Sequence, residues 1–324
     1  MRILYLDCSM GAAGDMLMAA LYELLPDKAA FLKKMNALGL PGISISAEPA
    51  VKCGITGTHM KVLIDGEEEL DALHAHMHEH EHAHHHEHAH EHGDDHEHAH
   101  HHHTGLAEIE HLLSHLDLPQ AVRDDALAVY HLIADAESKV HGHPIDQIHF
   151  HEVGTLDAMA DVVGVCLLMH MIGPDKVYAS SVHVGCGQVR CAHGILPVPA
   201  PATALLLEGI PIYGGAIQGE LCTPTGAALL HHFVSEFGAM PAMRPEKAGY
   251  GMGTKDFPAA NCVRAMLGEE NVPTEDILEL SCNLDDTTPE EIGFAMEQLL
   301  GAGALDVYMT PIFMKKNRPA TMLT

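Results

Sequence analysis

Ile3-Leu4-Tyr5-Leu6-Asp7, followed at once by Cys8-Ser9-Met10-Gly11-Ala12-Ala13-Gly14-Asp15 and then by Met16, Leu17, Ala20, Leu21 and Leu24, opens the chain. An apolar run, a glycine-bearing turn and apolar residues returning at helical spacing predict a short buried strand, a tight turn and a helix that Pro26 ends. A second helix is expected over 29–38, stopped by Gly39, and then extended segments over 43–47 and 59–65. Strand-turn-helix at the start sets the fold class as α/β, with α+β as the alternative.

Outward from that opening the same signals recur. Leu106, Ile109, Leu112, Leu113 and Leu116 stand at helical spacing, and Val122, Val129, Leu132 and Val140 mark a longer helix after Pro119. A strand is expected over 148–153, then a helix over 155–171 apolar enough to be largely buried. A strand over 177–184 leads into Gly185-Cys186-Gly187 and the proline-rich run 195–201, which is extended and cannot sit mid-sheet. A short strand over 210–213 and the turn Cys222-Thr223-Pro224-Thr225-Gly226 precede a helix to about residue 237. The glycine-dense 249–255 leads to a strand over 262–267. With a boundary at 269–274, residues 1–268 read as an N-terminal α/β domain. Residues 275–324 read as the start of a C-terminal domain, in which a strand over 277–284, a helix over 289–300 and a strand over 305–312 make one incomplete βαβ unit.

Charge excludes one class of function. Seventeen Lys plus Arg against 45 Asp plus Glu give the 324 residues a net charge of −28, and no Lys or Arg occurs between Lys61 and Arg123. Backbone phosphates are held by clustered cations, so a nucleic-acid partner is not expected. The longest apolar stretch, 162–169, falls short of the roughly 20 residues that span a bilayer, so no membrane partner is expected either. Asp7 interrupts the N-terminal apolar run before it reaches the length of a secretory signal. Eight cysteines without a CxxC pair read as the reduced thiols of a cytoplasmic protein.

Between residues 73 and 103 the composition collapses to His, Glu, Asp and Ala, and 17 of the 30 histidines lie there. They are His74, His76, His78, His80, His82, His84, His85, His86, His88, His90, His92, His96, His98, His100, His101, His102 and His103. With so few apolar residues to offset ordering entropy, the insert is expected to be disordered without a ligand. Imidazoles on a flexible chain can converge on nickel, zinc, copper or cobalt, which makes the tract a metal reservoir rather than a catalytic centre; a solvated repeat is the other reading.

Three further features carry candidate chemistry. In Phe150-His151-Glu152-Val153-Gly154-Thr155-Leu156-Asp157-Ala158-Met159-Ala160-Asp161, His151 and Glu152 end a strand, while Asp157 and Asp161 share one helical face. These four can surround a metal or a reacting proton, or Asp157 can simply favour the helix dipole. Gly11 and Gly14 in the first turn, Thr223 and Thr225 before a helix, and Lys255 after Gly249 to Gly253 are candidate anion cradles. The alternatives are a plain N-cap at Thr225 and a mobile hairpin at the glycines. Cys186 and Cys191, with His193 nearby, form a candidate soft-metal group.

Taken together these blocks resemble the LarC-type nickel-insertion family, the pyridinium-3,5-bisthiocarboxylic acid mononucleotide nickel chelatases. The resemblance rests on Asp7 to Met16, His149-Phe150-His151-Glu152-Val153-Gly154, Cys191 to Ala202, Thr223-Pro224-Thr225-Gly226-Ala227, Gly249 to Thr254 and Met314-Lys315-Lys316-Asn317-Arg318-Pro319, in the family's order. It implies Ni2+ and CTP with a divalent cation, a pyridinium mononucleotide substrate, and a product used by lactate racemase, whose apo form is an implied partner. Members usually continue into a C-terminal polypeptide that contributes to CTP binding, and that polypeptide is a further implied partner. Forming a carbon–nickel bond requires loss of a ring proton, and His151 or Glu152 is the expected base, with Asp157 and Asp161 orienting metal or base. Cys8, Cys186 and Cys191 are lesser candidates as transient nickel ligands. Competing readings are a non-catalytic nickel store and a metal-dependent hydrolase using His151, Glu152 and Asp161.

Overall fold

The computed structural model describes residues 1–66, 104–150, 155–191, 194–270 and 277–324. The histidine tract and the metal-ligating role expected of it lie outside the described residues. The chain divides into two compact units, Met1–Asn271 and Val272–Thr324. Among the described residues no helix is long and apolar enough to cross a membrane.

The first unit is built on a mixed sheet of seven strands: β1 (Arg2–Asp7), β2 (Ile43–Lys52), β3 (Ile55–Ile64), β4 (Lys176–Ala179), β5 (Glu236–Phe237), β6 (Met243–Met252) and β7 (Cys262–Glu270). Their order is β5-β4-β1-β7-β6-β3-β2. β1 is parallel to β4 and antiparallel to β7, so that Leu4 lies opposite Val177 on one side and Leu267 on the other. Leu4 and Leu6 face the main core, while Ile3 and Tyr5 cluster with Tyr178 on the opposite face. A strand buried on both faces reads as a continuous apolar run, which is what 3–6 does.

Helices α1 (Gly14–Leu24), α2 (Lys28–Ala37), α3 (Leu106–His115), α4 (Gln120–His141), α5 (Leu156–Ile172), α6 (Pro201–Leu206) and α7 (Pro224–Phe233) follow in chain order. α1 packs on β6, β3 and β7; α5 packs on α1; α4 in turn lies against α5, α6 and α7. Enclosed between α1 and α4, α5 is buried on nearly every side, with Ala158 through Ala160 and Val162 through Met169 all inside, as its composition requires.

Several elements differ from expectation, each for a physical reason. The extended segments at 43–47 and 59–65 are parts of two ten-residue strands joined through Cys53 and Gly54, both at positive φ (49° and 80°). Two left-handed residues in a two-residue loop make the hairpin turn that matches strand twist. The strand expected over 177–184 is β4 plus a separate bridge at Val182–His183, and the helix expected to reach 237 ends at Phe233, leaving Glu236–Phe237 as an edge strand. The glycine-dense stretch is not a mobile hairpin but the end of β6. A Cβ on Gly251 would stand on the carbonyl oxygen of Met16 and 2.6 Å from the nitrogen of Ala20; one on Gly249 would meet the carbonyl oxygen of Ala20. These glycines let α1 lie directly on the sheet backbone.

The second unit holds β8 (Cys282–Leu284), α8 (Pro289–Gly301), β9 (Met309–Met314) and β10 (Arg318–Leu323), in sheet order β8-β10-β9 with both pairings antiparallel. β8 and β9 are therefore parallel and joined through α8, the expected βαβ connection, but β10 lies between them. Lys316 and Asn317 at positive φ (63° and 55°) turn the chain back so that β10 can pair on both sides. Residues 277–281 and 305–308 are not strand. Ile292, Val307 and Leu323 form this unit's small core.

Candidate functional site

The turn after β1 is fixed by contacts with a distant stretch. Ala12 N–H donates to the Leu221 carbonyl (3.0 Å) and Thr223 N–H donates to the Ala12 carbonyl (3.0 Å), while Gly11 N–H closes on the Cys8 carbonyl (2.9 Å). Gly11, at φ 85°, has no room for a side chain against Leu221, and Gly226 has none against Ala12. Two of the three turns read from the sequence as candidate anion cradles are thus one structure, with the N-termini of α1 and α7 side by side. Thr223 caps α7, its Oγ1 accepting from Gly226 N–H at 3.1 Å, and Thr225 is buried beside it. Lys255 is not held with them. It stands exposed in the loop after β6, its carbonyl accepting from the Asn261 amide (2.8 Å).

His183 locks the turn. Buried, it sets Nδ1 3.0 Å from the Ser9 carbonyl and Nε2 3.0 Å from the Gly214 carbonyl, and stacks on Tyr213 at 4.6 Å. The Tyr213 hydroxyl also donates to the Ser9 carbonyl (3.2 Å).

α1 has no side-chain cap of its own. Its exposed amides are met instead by a carboxylate from α5: the Asp15 N–H donates to Asp161. Gly14 permits this approach, since a Cβ there would be 2.6 Å from Asp161 Oδ2. Asp157, one turn earlier on α5, lies beside Asp161, so the helical spacing read from sequence does bring the two acids to one place, and Asp15 from α1 joins them. All three residues are half-buried. Burial first, and then the charges of Asp15 and Asp157, hold the Asp161 carboxyl well above the usual carboxylate range. Asp15 is also raised by burial and by Asp157, against the lowering pull of the Met16 N–H, of nearby His59 and of its own N–H.

Tyr130 on α4 reaches the same place. It is fully buried, its hydroxyl has no hydrogen-bond partner, and burial, then Asp157 and Asp161, drive its pKa up. Asp157 Oδ1 and Asp161 Oδ1 are likewise buried without partners. On the sheet side His59 Nδ1–H donates to the Met252 carbonyl (3.1 Å), which leaves Nε2 as the ring's basic nitrogen when the imidazole is neutral. Asp15, His59 and Tyr130 carry no local signal as a group, since residues 15, 59 and 130 meet only through the packing of α1, β3 and α4. Asp15 alone was visible, as the acid immediately after the glycine turn.

His151 and Glu152 lie outside the described residues, as does His193. Immediately before them, His149–Phe150 pairs antiparallel with Thr104–Gly105. Of the thiols, Cys8 is buried and pushed up to about 12, and Cys222 is raised by burial and by Cys8, so both stay protonated. Cys186 is half-buried, its thiol donating to the Ile217 carbonyl (3.2 Å), and Cys191 is half-buried too. Among the described residues no group of three or more His, Cys, Asp or Glu is placed to hold a metal ion.

Residues 4–324 match the family described as Nickel insertion protein. The chain is similar to the pyridinium-3,5-bisthiocarboxylic acid mononucleotide nickel insertion protein of Desulfitobacterium hafniense (strain DSM 10664 / DCB-2), with 39% identity over 332 residues that cover 100% of this chain and 74% of that protein. It is also similar to the protein of the same description from Geobacillus kaustophilus (strain HTA426), 36% identical over 336 residues, covering 100% of this chain and 76% of that one. No solved structure matches it.

Proposed function

The chain belongs to the nickel insertion protein family, and from that premise we propose that it places Ni2+ into pyridinium-3,5-bisthiocarboxylic acid mononucleotide, as its relatives' description says of them. The observation that carries this is the match over residues 4–324, which takes in both units. Nickel is the cargo. The two thiocarboxylate sulfurs bind it as soft donors, and a ring carbon becomes the third ligand by losing its proton. A proton acceptor beside the ring is therefore required. His151 or Glu152 is the group we assign to lift that proton, with Asp157 and Asp161 orienting it or the metal. The N-terminus of α7 supports an anion site, in which Thr223 and Thr225, with Gly11 and Gly14 of the adjoining turn, would meet a phosphate of the mononucleotide or of CTP; the Asp15 amide of α1 is already taken by Asp161.

The finer parts of the reading are also proposals. CTP with a divalent cation drives the insertion, apo lactate racemase receives the product, and the reaction runs in the reducing cytoplasm. A further polypeptide packs on the second unit, where Phe313 is 80% and Leu305 83% exposed. Residues 73–103 collect nickel and deliver it. A nickel store without catalysis is the second reading, favoured by the 17 histidines of the tract and opposed by the carboxylate cluster assembled from separate helices. The test is to incubate the chain with precursor, Ni2+ and CTP and assay for cofactor able to activate apo-racemase. Nickel bound with no cofactor formed, even with the relatives' remaining polypeptide added, would place the storage reading first.

A further inference from the structure

Among the described residues of the first unit, Tyr213 is the one Phe or Tyr side chain that stands exposed, at 41%. It is also held rigidly. His183, itself buried, stacks against it with ring centres 4.6 Å apart and 10° between the planes, and both His183 nitrogens are spent on the carbonyls of Ser9 and Gly214, each at 3.0 Å. Tyr213 pairs with His183 in a short parallel bridge, and its hydroxyl donates to the Ser9 carbonyl (3.2 Å). Burial, then Asp7 and Cys8, push the pKa of that hydroxyl up, so it stays protonated and keeps the bond. Gly215, at φ 60°, makes room for the stack, since a Cβ there would stand on His183 Nε2. One face of the Tyr213 ring is therefore covered and both of its ends are fixed. Its exposure belongs to the other face, where Ser9, Ile212 and Gly214 are exposed too.

The open face lies beside the turn that joins α7. Ser9, which receives the hydroxyl, is three residues from Ala12, whose carbonyl accepts from Thr223 N–H at the start of α7. Three residues span at most about 10 Å when fully extended, and Gly11 N–H closing on the Cys8 carbonyl folds this turn tighter still. An aromatic plate and a phosphate cradle at so short a separation match the two ends of one mononucleotide. The face of a phenol ring carries the negative part of its quadrupole and so attracts a cationic ring more than a neutral one. We propose that Tyr213 binds the pyridinium ring of the substrate, stacking on it with its open face while His183 backs the other, and that it selects the cationic ring over a neutral one. The proposal rests on the nickel-insertion reading for the identity of the ring. Stacking takes only a face of the pyridinium and leaves its edge, which carries the two sulfurs and the reacting carbon, open to nickel and to the base.

The test uses the full chain and the dicarboxylate analogue of the mononucleotide, with oxygens in place of the sulfurs, both as the pyridinium and reduced to the neutral dihydropyridine. Ribose and phosphate are the same in the two probes. In equilibrium dialysis the wild-type chain should bind the pyridinium about tenfold more tightly than the dihydropyridine. Tyr213→Phe, which keeps the ring and loses the hydroxyl, should hold most of that ratio, and Tyr213→Leu should bring it near one. A merely structural role would weaken both probes alike and leave the ratio unmoved. Difference absorption should show a charge-transfer band between tyrosine and pyridinium in the wild-type complex and none with Tyr213→Leu; the wild-type ratio and band decide even if the leucine variant does not fold. No binding of the pyridinium by the wild-type chain, a wild-type ratio near one, or a ratio kept in Tyr213→Leu overturns the stacking role. Insertion assays separate the two failures. A chain that prefers the pyridinium through Tyr213 yet inserts no nickel overturns the reading beneath the proposal, and insertion by Tyr213→Leu at the wild-type KM overturns the stacking alone.

Discussion

Gly251→Ala is the most direct test of how the fold places its chemistry. The new Cβ would stand on the Met16 carbonyl oxygen, 2.6 Å from the Ala20 nitrogen and 2.8 Å from the Met16 carbonyl carbon. All are backbone atoms of α1, so no rotamer change relieves the overlap, and restoring ordinary contact lifts the helix by about 0.8 Å or more. Overpacking of this kind costs about 1–3 kcal/mol, and a rigid helix met in mid-span puts the expected loss near the upper end, about 3 kcal/mol. With an m-value of about 3 kcal/mol/M, the urea midpoint of the first unit should fall by about 1 M with m unchanged. The same lift displaces the first turn of α1, which carries Asp15 and receives Asp161, and a misplacement approaching 1 Å is worth about 100-fold in rate. Unfolding followed by circular dichroism, with insertion measured well below the midpoint, reads both effects. A variant that unfolds at the wild-type midpoint would refute the claim that glycine is there for backbone contact.

The other predictions concern the site and the tract. Tyr130→Phe removes a buried hydroxyl that has no partner and should raise stability by about 1 kcal/mol, measured by urea titration. Asp161 has a raised pKa in the folded chain, so its ionisation weakens folding as pH rises from the ordinary carboxylate range through that raised pKa. Asp161→Asn should therefore be more stable than wild type at neutral and alkaline pH, with the difference closing below the ordinary carboxylate range. Deleting 73–103 should remove most of the bound nickel in equilibrium dialysis yet leave insertion at saturating nickel intact; activity falling in proportion to nickel bound would argue against a reservoir. His151→Ala and Glu152→Ala should each abolish insertion while the tract still binds nickel, and wild-type turnover in both would move the base elsewhere.

Where a residue's role is local, the sequence was readable. The run 3–7, the glycine turn and the helix after it declared themselves through apolar spacing, as did the buried α5 and the shared face of Asp157 and Asp161. Neither reading of Gly249 and Gly251, an anion cradle or a mobile hairpin, reaches the reason for them, which is a helix more than 200 residues earlier in the chain that nothing next to them in sequence announces. β10 was missed because Lys315-Lys316-Asn317-Arg318 reads as a basic block; only the left-handed backbone at Lys316 and Asn317 shows it to be a turn. In the same way nothing in the local sequence singles out Tyr130 on its long helix. Its orphaned hydroxyl becomes visible only when α4 is laid against α5.

The placement of β1 also bears on how the protein is made. Its two neighbours in the sheet are β4, which begins at Lys176, and β7, which ends at Glu270, so this strand finds both partners far later in the chain. At about 5–20 residues per second, roughly 13 to 50 s separate the synthesis of β1 from that of the last residue it pairs with. Until β4 is made both edges of this strand are open, and the edge that β7 covers stays open to the end of the interval, which leaves Ile3, Leu4, Tyr5 and Leu6, all buried in the finished protein, on an incompletely paired strand. Shelter of the nascent β1 therefore bears on the yield of folded protein, and slower translation lengthens the exposure without altering the stability of the final fold.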